Sequence, residues 1–311
     1  MALEAAIEAY KHGDWAEAVR ICEKAIAESA GDELQVCRLR LILSQSNWAL
    51  GRIQEAFALP APTDERDVEI AARIRNQMGF LLAQTGKFQE AKAELQEALR
   101  LSEAVGIGTL TFGIQITRAT LFFYLTDYDS MLACGRAALA TAEKSDLPRG
   151  SAYAVMGKNF MVRKQWTEAI AWYERALLAF EADDSPFYVD RIRSELGCCY
   201  FGRGELVKAM EFYTEALHSS EKAGALASMH TDHANIGAVH LRRGEYATSL
   251  SHFRKALEIA SALGDHISVG KWLQNLSLAY RCMGDTMQAT SCDLEAERIN
   301  RLVAQARAAA S

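Results

Sequence analysis

Residues 197–216 read GCCYFGRGELVKAMEFYTEA, and residues 237–256 read GAVHLRRGEYATSLSHFRKA. Aligned, the two share a small residue, a ring four residues before a glycine, that glycine, and alanines or serines five and twelve residues after it. The glycines are Gly204 and Gly244, and the turn around them recurs along the chain. GDWAEA, GRIQEA, GKFQEA, TDYDSM, KQWTEA, GELVKA, GEYATS and GDTMQA start at Gly13, Gly51, Gly86, Thr126, Lys164, Gly204, Gly244 and Gly284. Their spacings are 38, 35, 40, 38, 40, 40 and 40 residues. A near-fixed period in this range marks a repeat array, in which each unit hides its apolar face only against its neighbours.

Columns around the turn are constrained by size. Seven residues before it stand Ala6, Ser44, Gly79, Ala119, Gly157, Gly197, Gly237 and Ser277, all small. Five after it stand Ala18, Ala56, Ala91, Met131, Ala169, Ala209, Ser249 and Ala289. Large residues fill other columns, such as Trp15, Phe88, Trp166 and Tyr246 two after the turn. The offsets −7 and −4, then +2, +5, +9 and +12, are helical spacings on either side of a break. Each unit is therefore a helix, a tight turn and a second helix packed back on it. First helices are predicted near 2–12, 32–49, 65–85, 108–125, 147–163, 186–203, 226–243 and 266–283. Second helices are predicted near 15–29, 53–58, 88–104, 128–144, 166–182, 206–222, 246–262 and 286–308. The second helix of repeat two should be short, because it runs into ALPAPTDE with Pro60 and Pro62.

This pattern resembles the tetratricopeptide repeat family over about residues 2–300. The family's common period is 34. The 40-residue period here resembles its long-helix versions, typical of bacterial signalling proteins and some animal adaptors, and adds about 9 Å of helix per unit. The resemblance implies an all-α, right-handed superhelical solenoid of about eight helix-turn-helix repeats with a C-terminal capping helix. On this reading 1–311 is one domain, with repeats near 2–30, 32–63, 65–105, 108–145, 147–183, 186–223, 226–263 and 266–300 and a helical tail at 300–311.

The resemblance also implies that first helices line a concave groove. If −7 and −4 face the partner helix, then −13, −10, −9, −6 and −3 form a neighbouring stripe. The −13 column holds Arg38, Arg73, Arg191 and Lys271. Asn235 and Asn275 at −9 match the family's groove asparagines. Their amides carry donors and an acceptor together and suit a peptide backbone of any sequence. Asn76, Gln77 and Gln274 add amides, and Lys158 and Arg281 add cations. The −3 column is mostly apolar, with Tyr10, Trp48, Phe123, Met161, Phe201 and Leu241. This suggests a protein or peptide partner bearing acidic and hydrophobic side chains. Alternatively, the cations pair with Asp or Glu of neighbouring repeats and the rings are core. The two-carboxylate clamp that some family members use is not complete here in register.

Composition narrows the function. With 34 Lys and Arg against 40 Asp and Glu, the formal charge is −6, unsuited to general phosphate-backbone binding. No run is long and apolar enough to expect a membrane span. The 7 cysteines form no C-x-x-C pair and fit a reducing cytoplasm. Cys198 and Cys199 read as buried small apolar residues, and His240 as a packed histidine. His230, Asp232 and His233 in MHTDH read as surface capping at a helix start rather than a metal site. No phosphate loop, nucleophile elbow or dinucleotide fingerprint is found, so neither catalysis nor a cofactor is expected. The expected role is a scaffold or adaptor, and the second reading is the sensing module of a bacterial regulator. With the first repeat starting at about residue 2, an output domain is expected either on another chain or in a domain missing from this sequence. Partner identity and oligomeric state stay open.

Overall fold

The structure, a computed structural model, describes residues 2–29, 32–59, 67–183, 185–222 and 226–309. Pro60, Pro62, Thr63, the repeat ends placed at 30, 63 and 223, and the last two residues of the tail lie outside these. The described residues form an all-α helical repeat solenoid of sixteen helices, with no strand. The hairpins are α1 (Ala2–Lys11) with α2 (Trp15–Glu28), α3 (Glu33–Ala49) with α4 (Ile53–Ala56), and α5 (Val68–Gln84) with α6 (Phe88–Val105). Next come α7 (Gly108–Tyr124) with α8 (Tyr128–Ser145) and α9 (Gly150–Val162) with α10 (Trp166–Ala182). Last are α11 (Pro186–Arg203) with α12 (Leu206–Lys222), α13 (Leu226–Arg242) with α14 (Tyr246–Ala262), and α15 (His266–Cys282) with α16 (Thr286–Ala309). As expected, α4 is short. The chain divides into two compact units, Met1–Tyr188 and Val189–Ser311.

The periodic turn has one conformation. All eight residues of the turn column, including Thr126 and Lys164, have positive φ, between 57° and 84°. The next residue's N–H returns to the carbonyl five residues back. Asp14 reaches Ala9 at 2.9 Å, Glu205 reaches Tyr200 at 2.9 Å and Asp285 reaches Tyr280 at 3.0 Å. The turn residue itself donates to the carbonyl three back, as in Gly204 to Phe201 at 3.0 Å. This double closure satisfies the carbonyls orphaned at a helix end and needs a left-handed residue, which glycine adopts without penalty. The following residue then starts the second helix. Asp14 and Asp127 cap it by accepting from the N–H groups of Glu17 and Ser130. Thr126 and Lys164 adopt the left-handed conformation at a cost of about 1–2 kcal/mol each. Lys164→Gly and Thr126→Gly are therefore each expected to raise stability by about 0.5–1 kcal/mol after the added freedom of the unfolded chain is deducted. Urea unfolding of the two variants checks this, and a loss of stability would contradict the assigned strain.

Packing within hairpins follows a size rule between offsets −7 and +9. Gly79 faces Leu95, Gly157 faces Tyr173, Gly197 faces Tyr213 and Gly237 faces Phe253. A Cβ at these glycines would stand 2.5–2.8 Å from the partner side chain. Where +9 is small, −7 is larger, as in Ala6 with Cys22. The +5 column is buried from Ala18 to Ala289.

In the first unit, consecutive first helices also pack on one another: α1 on α3, α3 on α5, α5 on α7 and α7 on α9. In the second unit α13 packs on α15. α16 closes the last hairpin. At the positions where α14 presents Leu257 and Ala260 to the next repeat, α16 carries exposed Glu297 and Asn300, with Leu294 and Leu302 also exposed on this helix.

Candidate peptide-binding wall

Because first helices touch one another as well as their hairpin partners, each unit has a wall made of first helices alone. The candidate residues divide between the two units. Arg38, Arg73, Asn76, Gln77 and Lys158 belong to the first, and Arg191, Asn235, Lys271, Gln274, Asn275 and Arg281 to the second.

Several of them are engaged within the chain. Gln77 is buried, and its Nε2 donates to Ser44 Oγ at 3.1 Å; Ser44 in turn donates to the carbonyl of Ala56 at 2.6 Å. It thus ties α5 to the hairpin before it. Arg73 pairs with Glu69 at 2.9 Å, one turn away on α5. Lys158 lies over the Phe123 ring at 5.4 Å, a cation–π contact from one repeat to the one before. Arg281 pairs with Asp293 on α16 and donates to Ser277 Oγ at 3.4 Å. The aromatic stripe is held in the same way. Trp48 meets Phe80 edge-on at 5.7 Å, and Arg242 lies 4.7 Å above Phe201 while donating to its carbonyl at 2.7 Å.

The other candidates are exposed to different degrees. Arg38, Arg191, Lys271 and Gln274 are exposed, and Asn235 and Asn275 are half-buried. Asn76 Oδ1 is buried without a hydrogen-bond partner among the described residues. The adjacent helices α13 and α15 therefore place Asn235 beside the helix carrying Lys271, Gln274 and Asn275. Leu278, at −6 on α15, is 50% exposed.

The MHTDH segment corrects the sequence reading. It is interior, not surface capping. Asp232 is 3% exposed and accepts from Ser194 Oγ of α11 at 3.1 Å and Ser220 Oγ of α12 at 3.0 Å. Burial pushes its carboxyl up to about 6, against the two hydroxyls that favour the charged form. His230 is 5% exposed, with Nε2 3.8 Å from Asp265. Burial lowers its pKa and Asp265 opposes that. His233 is half-buried against His252 of α14, with their Nδ1 atoms 3.2 Å apart. The overlooked signal is register: His230 and His233 stand seven and four residues before Gly237, on the face that meets α14. Cys199 is buried as expected, while Cys198 is half-buried. His240 is packed, stacking on His252 at 5.5 Å and bonding Glu245. A hollow of about 370 Å³ lies over His233, Ala247, Ser251, His252, Lys255 and Glu258.

Among the described residues no group of three His, Cys, Asp or Glu side chains is placed to hold a metal ion. No helix there is long and apolar enough to cross a membrane.

Residues 226–301, the last two hairpins, match a tetratricopeptide repeat model, and residues 71–105 match a second one. The chain carries tetratricopeptide repeats. No curated protein matches it. Among solved structures, it is similar to a Rap protein complexed with competence and sporulation factor, at 10% identity and a TM-score of 0.68 over 98% of both chains. It is also similar to NprR in complex with its cognate peptide NprX, at 11% identity and a TM-score of 0.61 over 90% of this chain and 85% of that one. A third similar structure is a Signal Transduction ATPase with Numerous Domains, with a tetratricopeptide repeat sensor, from Pyrococcus horikoshii. The match has 13% identity and a TM-score of 0.65, and it covers 90% of this chain but 44% of the ATPase. The chain thus spans less than half of that protein. At these identities the likeness is one of fold, shared by tetratricopeptide repeat arrays.

Proposed function

We propose that this chain binds a protein or peptide segment along its first-helix wall, as a scaffold or adaptor without turnover. The observation that carries the proposal is the pairing of α13 with α15. Two half-buried amides at the same register, Asn235 and Asn275, stand on packed neighbours beside the exposed Lys271, Gln274 and Leu278. Amides suit a peptide backbone, the lysine suits an acidic side chain, and the leucine suits an apolar one.

A second reading is supported by the Rap and NprR structures, both complexes with a named factor or peptide. Here the chain is a sensing module whose guest alters its association with another protein. Both readings place it away from nucleic acid, at a formal charge of −6, and in a reducing cytoplasm, the compartment that suits 7 cysteines with no C-x-x-C pair.

A peptide array of acidic and apolar segments tests the proposal. Asn235→Ala should weaken the best binder about 5–10-fold, the loss of one or two hydrogen bonds. Lys271→Glu should weaken acidic binders more at low salt than at high. Affinity unmoved by both changes would rule out this wall as the binding face. A guest that changes the capture of a second protein would select the sensing reading.

A further inference from the structure

The hairpin of α13 and α14 holds an imidazole cluster apart from the wall. His233 Nδ1 and His252 Nδ1, one from each helix, are 3.2 Å apart, within hydrogen-bonding distance. An imidazole nitrogen carries either a proton or a lone pair, so the link exists only with one N–H shared between the two. His240 stacks on His252 at 5.5 Å and is bonded to Glu245. The hollow opens over the pair, so water and protons reach it.

We propose that His233 and His252 form a one-proton latch between α13 and α14, closed at neutral pH and opened by acid. A first proton from water goes to the free Nε2 of the donor ring and leaves the link intact; a second, at the acceptor ring's Nδ1, sets two N–H groups face to face across 3.2 Å and brings two positive charges together. The surroundings favour the neutral state. Burial lowers the pKa of His233, Lys255 adds to that and Glu221 of α12 opposes it. Burial lowers the pKa of His252, and His233 and His240 add to that. The other charges near the pair are largely committed. On α14, Glu258 pairs with Lys255 at 3.1 Å, and Arg254 donates to the hydroxyl of Tyr280 on α15 at 2.6 Å. Glu245 holds His240. Folded-state imidazoles held below their ordinary range contribute stability that is complete above the unfolded pKa and is lost as pH falls through the lowered values. The latch stands independently of the binding reading, although α13 also carries Asn235.

The test uses the full chain with Asp232→Asn, which removes an oppositely signed titration in the same pH window. Nitrogen NMR of the imidazoles from pH 8 to 5 should show His233 and His252 taking up protons in two separated steps, the second below the ordinary imidazole range. In His252→Gln, an uncharged acceptor remains for His233. His233 should then titrate in one step, and the fall in Tm between pH 7 and 5 should shrink. Should that variant not fold, His233→Gln reports on His252 in the same way. Titration of both rings in one step within the ordinary imidazole range, or Tm profiles unchanged by the substitution, would overturn the latch. Peptide capture plays no part in this test, so failure of the binding proposal and failure of the latch are distinguishable.

Discussion

Tyr213→Ala is expected to lower the unfolding free energy by about 3–5 kcal/mol, and Gly197→Ala, across the same contact, by about 1–3 kcal/mol. Tyr213 is 2% exposed, and its ring lies where a Cβ on Gly197 would be, 2.5 Å from Cε1. Removing the ring leaves a cavity between α11 and α12, and adding the methyl overfills the same space. The two losses should not add. The hairpin in which Ala6 packs with Cys22 shows that alanine at −7 is accommodated where +9 is small. Gly197→Ala made in the Tyr213→Ala background should therefore cost little or restore stability. Urea unfolding of the four proteins of the cycle measures the coupling. Strict additivity would mean that the pair is not in contact.

Asp232→Asn is expected to stabilise the protein at pH 8 by up to about 3 kcal/mol and to have little effect at pH 4. A carboxyl pushed from the usual 3.8 to about 6 binds its proton more tightly in the folded chain than in the unfolded one. Its contribution is most favourable below pH 3.8, declines as pH rises to about 6, and is constant above that. Asparagine keeps the shape, accepts from one of Ser194 and Ser220, donates to the other, and never ionises. Exposed carboxylates such as Asp127, held low mainly by hydrogen bonds from Ser130, act in the opposite direction but equally in both proteins, so the difference isolates Asp232. Urea midpoints at pH 4, 6 and 8 check it, and a variant that is less stable at pH 8 would show that the charge is wanted there.

Most of the backbone is legible in the amino-acid sequence. All eight residues of the turn column are left-handed, including Thr126 and Lys164, where the glycine is missing, while Gly106, Asp146 and Gly264 are left-handed outside it. The sixteen helices lie within about three residues of the predicted spans. The wall is less legible. Arg73, Lys158 and Arg281 read as candidates for a guest, yet Arg73 is held by Glu69, Lys158 lies over a ring of the previous repeat, and Arg281 is held by its own hairpin's Asp293. Gln77, from the same stripe as Asn235 and Asn275, is buried against Ser44.

The sequence by itself determined where each helix begins, turns and returns, because a left-handed turn and a close helix crossing each admit few residue types and leave a periodic trace. Only the tertiary structure decided which polar side chains stay available. Asp232 and Gln77 are of types usually found in water, and what buries them is a neighbouring helix tens of residues away in sequence. Burial and pairing depend on what packs opposite, and no periodicity within one helix encodes that.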